Sequence, residues 1–91
     1  MGIALVKIKI MPNGIEADLE KIKSAAKEVI ESNKGQEVTF EEQPIAFGLK
    51  AIIAGFRQNE DEGELDPIEE ALNKLENVQS VQVVDMRRAF G

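Results

Sequence analysis

Five carboxylates crowd one short stretch of the chain, Glu60, Asp61, Glu62, Glu64 and Asp66. Clustered oxygen ligands of this kind hold Ca²⁺ or Mg²⁺ when the spacing lets them converge. The spacing here is not that of an EF-hand. No apolar pocket adjoins the run to lift one carboxyl into the range of a general acid. A solvated acidic loop is the simpler reading. Arg87 and Arg88 stand out for the opposite reason, as a basic pair in an acidic chain. They are either a solvated tail or a guanidinium contact to a carboxylate or phosphate on a partner. The third feature is Gln43-Pro44-Ile45-Ala46-Phe47-Gly48-Leu49. Segments between strands are normally polar because they face water. Phe47 beside Gly48 therefore either plugs the edge of the core or stands out as an aromatic anchor for another protein. Pro44 lowers the entropy cost of ordering that segment, and Gly48 lets the backbone bend closely.

The chain contains no cysteine and no histidine. Disulfides, zinc sites, thiol nucleophiles and histidine acid–base schemes are thereby excluded. There is no Walker-type phosphate loop, and no Gly-x-Gly-x-x-Gly follows the first strand. Catalytic residues, metal ligands and cofactors are not expected. A partner-binding module fits better than an enzyme.

The elements that would carry these residues follow from periodicity. Residues 3–10 alternate, with Ala4, Val6, Ile8 and Ile10 on one side and Ile3, Leu5, Lys7 and Lys9 on the other, as in a strand with one buried face. Pro12-Asn13-Gly14 breaks it. Residues 17–32 predict a helix, with Leu19, Ile22, Ala26, Val29 and Ile30 on one face. Asp18 suits its positive end, Lys27 can pair with Glu31, and Gly35 is the expected left-handed stop. Residues 37–43 predict a strand with Val38 and Phe40 inward, and residues 48–57 another. Asp66 as N-cap, Pro67 at the first helical position and Glu69 signal a second helix with an Ile68, Ala71, Leu72, Leu75 stripe. Residues 78–87 predict the last strand, in which Val81 and Val83 oppose Gln82, Val84 and Met86.

The order β-α-β-β-α-β closes into an α+β ferredoxin-like sandwich, a four-stranded antiparallel sheet with two helices on one face. Lys7, Lys9 and Lys50 are expected on its open face. The 91 residues make one domain, of which folding buries roughly 60–65% of the chain surface. The net charge of −6 argues against direct nucleic-acid contact. The sheet also lacks the stacked aromatics of RNA-recognition domains. No apolar run approaches the roughly 20 residues of a membrane span.

Two stretches in this order carry a family resemblance. Pro44-Ile45-Ala46-Phe47-Gly48-Leu49-Lys50 before the third strand and Val78-Gln79-Ser80-Val81-Gln82-Val83 in the fourth resemble the guanine-nucleotide exchange domain of elongation factor 1-beta. The ending Asp85-Met86-Arg87-Arg88 resembles the archaeal form, and the likeness spans the whole chain. It implies a cytoplasmic, monomeric exchange domain covering residues 1–91 that works without the N-terminal extension of eukaryotic forms. Its partner would be the elongation factor 1-alpha GTPase, from which it would promote GDP release and GTP reloading. In eukaryotic relatives a loop Phe enters a pocket on the GTPase and a lysine near the C-terminus reaches the Mg²⁺ site. The resemblance places Phe47 at the first position and Arg88, beside Arg87, at the second. Pro44, Ile45 and Gly48 complete the docking loop. An arginine is longer, planar and more weakly hydrated than a lysine, and so a poorer mimic of a metal point charge. An ACT-like regulatory module shares the element order; it would dimerise through sheet edges and be stabilised by amino acids. An acyl-phosphate hydrolase on this fold needs an arginine in the first loop, and Met11-Pro12-Asn13-Gly14-Ile15 has none.

Overall fold

A computed structural model describes residues 2–59 and 65–90, with the backbone alone for Ala89 and Phe90. Six elements follow one another: β1 (Ile3–Pro12), α1 (Leu19–Ser32), β2 (Gln36–Pro44), β3 (Lys50–Asn59), α2 (Leu65–Asn73) and β4 (Val78–Phe90). The strands form one sheet in the order β2-β3-β1-β4, every neighbour antiparallel. Helix α1 lies over β2 and β3, and α2 over β4. This is the ferredoxin-like sandwich expected from the pattern of elements.

The alternation in β1 decides which face is dry. Ala4, Val6, Ile8 and Ile10 are buried, and they meet Ile52, Ala54 and Phe56 of β3 with Ile22, Ala26, Ile30, Ile68 and Leu72 of the helices. Val38 and Phe40 pack against the edge of this cluster, as their spacing predicts. Gln58 continues the buried row of β3, and its Nε2 donates to the Asn33 carbonyl at 3.2 Å. That bond ties the end of α1 to the sheet without leaving a buried amide unsatisfied.

Several details differ from the periodicity. β1 runs on through the buried Pro12, where the ladder with β4 ends anyway and the missing N–H costs no bond. β3 occupies Lys50–Asn59 rather than 48–57. Lys50 lies on the helix-bearing side: its Nζ is 3.7 Å from Glu42, which also binds Lys23 of α1. Lys27 does not pair with Glu31; the ion pair within α1 is Lys23–Glu20 at 3.1 Å. Helix α2 begins at Leu65, so Asp66 contributes its carboxylate inside the first turn rather than in front of it. The acidic residues Glu60, Asp61, Glu62 and Glu64 lie outside the described residues.

β4 departs most. Asp85 pairs with Lys7 but Val83 with Ile8, so Val84 is an extra, bulged residue. The bulge reverses the alternation, and Met86 joins Val83 on the helix-bearing side instead of opposing it. The strand then continues three residues past 87, where the pattern alone placed a tail.

The start of α1 is capped by Asp18, whose Oδ1 accepts from the Glu20 N–H at 3.1 Å. Its end is a Schellman arrangement: Gly35 N–H donates to Ile30 O at 2.8 Å and Lys34 N–H to Glu31 O at 3.1 Å. The left-handed residue is Lys34, at φ 71°, not Gly35. Glycine is needed one position later for a different reason, since a Cβ on Gly35 would lie against Ile30 and Phe56. Lys34→Gly is therefore expected to stabilise the fold by about 0.5–1 kcal/mol, read as a shifted urea midpoint with an unchanged slope.

A candidate docking turn and a distant basic pair

The connection between β2 and β3 closes by two backbone bonds. Leu49 N–H donates to Ala46 O at 2.9 Å, and Ile45 N–H donates to Leu49 O at 2.8 Å. The two residues between Ala46 and Leu49 both have positive φ, 54° for Phe47 and 81° for Gly48. Paired positive φ values are the mark of a type I′ turn, which favours Asn-Gly because both residues must be left-handed. Gly48 meets that demand without strain. Phe47 does not: a side chain there crowds the following carbonyl at a cost of roughly 1–2 kcal/mol.

Packing does not explain the choice of residue. Phe47 is 100% exposed, so the ring touches no core and contributes nothing to burial. Of the two readings open for Phe47, the core-edge plug is excluded. Pro44 ends β2 in the open, and Ile45 is 42% exposed at the foot of the turn. The structure thus brings Pro44, Ile45, Phe47 and Gly48 into one apolar projection.

The loop between β1 and α1 adds a residue that periodicity did not single out. Ile15 is 67% exposed, and its Cγ2 would stand 3.9 Å from a Cβ built on Gly48. A notch of about 230 Å³ separates the two loops, floored by Pro12 and Leu19 and edged by Lys50. The available signal was an isoleucine set between Gly14 and Glu16, outside any alternating or helical pattern.

Beside the turn, Lys23 of α1 donates to Glu42 Oε2 of β2 at 2.8 Å. This bond, with the ammonium charge behind it, lowers the Glu42 carboxyl below its ordinary value of 4.5. The Lys23 ammonium is raised in turn, first by Glu42 and then by Glu20. The stabilisation carried by Glu42 is thus present above the ordinary carboxylate range and disappears as pH falls through its lowered pKa. That of Lys23 is present below 10.5 and disappears as pH rises through its raised value. Both side chains remain partly exposed, so salt weakens the pair.

Arg87 and Arg88 lie elsewhere. Both are within β4, opposite Leu5 and Ala4, at the end of the sheet where β1 starts and β3 finishes. The turn lies at the other end, a separation of roughly 30 Å along the strands. Alternation sends the two arginines to opposite faces. Arg87 is on the open face, where its Nε is 3.2 Å from Asp85 Oδ2, and Arg88 is on the side of the helices. Leu5, Lys7, Arg57 and Arg87 border a shallow groove of about 370 Å³ on the open face.

The arrangement defines a class: a small ferredoxin-like module with a strained, fully exposed aromatic at one tip of its sheet and a basic edge at the other. Residues 5–89 match the family described as the EF-1 guanine nucleotide exchange domain. The chain belongs to that family. It is similar to the elongation factor 1-beta of Methanococcus maripaludis strain C7, 41% identical over 86 residues that cover 94% of this chain and 97% of that protein. It is also similar to the elongation factor 1-beta proteins of Methanosarcina barkeri strain Fusaro and Methanosarcina acetivorans. Each is 44% identical over 88 residues, 97% of this chain and 99% of theirs. The match bears out the resemblance read from the two stretches, and it selects the exchange-domain reading over the ACT-like one.

Proposed function

We propose that this chain binds the elongation factor 1-alpha GTPase in the cytoplasm, as a monomeric exchange domain, and accelerates release of its GDP so that GTP can enter. Phe47 is the docking anchor, steadied by Pro44, Ile45 and Gly48. The observation that carries the assignment is the ring's position: fully exposed on strained backbone, in a chain of the exchange-domain family. Backbone strain with no packing return points to a function outside the folded chain.

No bond is made or broken in such a step. The factor binds the nucleotide-free GTPase more tightly than the GDP-bound form, and by linkage GDP weakens the factor's grip by the same ratio. A thousandfold coupling requires about 4 kcal/mol of differential contact. A desolvated aromatic supplies much of that. One arginine of the Arg87–Arg88 pair provides the second contact. Because they point to opposite faces, one partner surface engages one of them, and Arg88 acts as a hydrogen-bonding guanidinium rather than a substitute for Mg²⁺.

Stopped-flow release of a fluorescent GDP analogue from archaeal elongation factor 1-alpha tests the proposal. The rate should rise with the concentration of this chain. Arg88→Ala should lower it about tenfold, with a larger loss at low salt than at high salt. No acceleration with a cognate, active GTPase would remove the assignment. An unchanged rate for Arg88→Ala would remove Arg88 from the contact.

A further inference from the structure

We infer that Ile15 is a second anchor for the same GTPase, and that the notch between Ile15 and Gly48 receives one apolar side chain from it. The inference rests on the exchange reading and extends it to a loop distant in sequence from the docking turn. Three observations carry it. Ile15 exposes 67% of its surface although it is a large aliphatic residue in a loop where a polar one would cost nothing. It stands beside the docking turn, its Cγ2 in van der Waals reach of a Cβ placed on Gly48. Between the two loops lies the notch of about 230 Å³, whose walls include Pro12, Ala17 and Leu19.

An anchor works best when neighbouring contacts keep water from it. Phe47 alone, on a narrow turn, would enter the partner with its flank wet. Ile15 leaves the ring itself fully exposed but stands beside the turn at Gly48, extending its apolar surface across to the start of α1. The notch between them is concave, with aliphatic walls at Pro12, Ile15, Ala17 and Leu19 and polar backbone between them, so an aliphatic knob fits its apolar part. The glycine is part of its shape, since any side chain at position 48 would narrow the opening toward Ile15. Lys50 at the rim leaves room for a carboxylate or backbone carbonyl next to the knob.

The test measures binding of nucleotide-free archaeal elongation factor 1-alpha by the intact chain and by Ile15→Ala, Ile15→Asp and Ile15→Leu, with thermal melts of each. Ile15 is exposed, so all four proteins should melt together. Ile15→Ala should weaken binding about tenfold, corresponding to removal of most of one aliphatic contact. Ile15→Asp should weaken it further, and Ile15→Leu should stay within about twofold of the original. Equal affinities for all four would overturn the inference while leaving the role of Phe47 in place. Failure of the unaltered chain to bind would overturn the exchange reading and this inference together.

Discussion

Phe47→Asn should raise the melting temperature and abolish most of the exchange activity in the same protein. The two effects have separate causes. Asparagine tolerates the left-handed region far better than phenylalanine, and Asn-Gly is the preferred pair for a turn with two positive φ values. The ring at position 47 is fully exposed, so deleting it removes no packing. Stability should rise by about 0.5–1 kcal/mol, or roughly 2–6 °C for a domain of this size. Exchange should fall about a hundredfold, because an aromatic anchor contributes on the order of 3 kcal/mol to a protein interface. Phe47→Ala is the control: it removes the anchor without the benefit of asparagine, so exchange falls while stability stays close to the original. A Phe47→Asn protein that is both more stable and fully active would show that the ring is not used.

The second large effect is expected at Gly35. A Cβ at this position would approach Ile30 Cγ2 and Phe56 Cδ2 and lie 3.0 Å from the Ile30 carbonyl oxygen. Ile30 is completely buried and β-branched, so its side chain has little freedom to turn aside. Gly35 also donates the bond that closes the end of α1. Gly35→Ala must therefore either open that cap or push Ile30 into the core. The cost should be about 2–3 kcal/mol, a fall of roughly 10–20 °C. Gly14→Ala provides the comparison, since a Cβ on Gly14 meets nothing within 4 Å and should be nearly neutral. Equal melting temperatures for the two variants would refute this account of the helix end. Gly35 is at the opposite end of the sheet from Phe47 and at the opposite edge from β4, so exchange per folded molecule should be unchanged.

Much of the fold was legible in the sequence because each element carried its own period. The two-residue alternation from Ala4 to Ile10 and the helical spacing from Leu19 to Ile30 each name a buried face without help from the rest of the chain. What periodicity missed depended on contacts between elements. The bulge at Val84 exists only relative to Lys7 and Ile8 across the ladder, and so the true side of Met86 could not be read from β4 alone. Lys50 was expected on the open face, but alternation in β3 sets it on the side of the buried Ile52 and Ala54, where its Nζ reaches Glu42. Gly35 was recognised as a helix end, yet the left-handed conformation belongs to Lys34 and the glycine answers to Ile30.

The candidate site divides in the same way. Phe47 and Gly48 drew notice because an aromatic in a connection is chemically out of place. That Phe47 carries the strain of the turn required the backbone angles. Ile15 went unnoticed because nothing in its own neighbourhood links it to a turn more than thirty residues away; the fold makes that link. Arg87 and Arg88 looked like one basic group, but strand geometry separates them into two directions.

The distance between the turn and the basic edge turns the sheet into a gauge. Its strands are joined along their length by antiparallel ladders interrupted only by bulges, so the two ends are held apart. A partner held at both ends must present its two contact points at the span the sheet dictates. A rotation of about 15° between two domains of such a partner, acting over this length, would displace one contact by roughly 8 Å. At that displacement one end lets go. A stiff two-point caliper therefore fits one domain arrangement of its partner and rejects the others by misalignment, with no contact to the nucleotide itself.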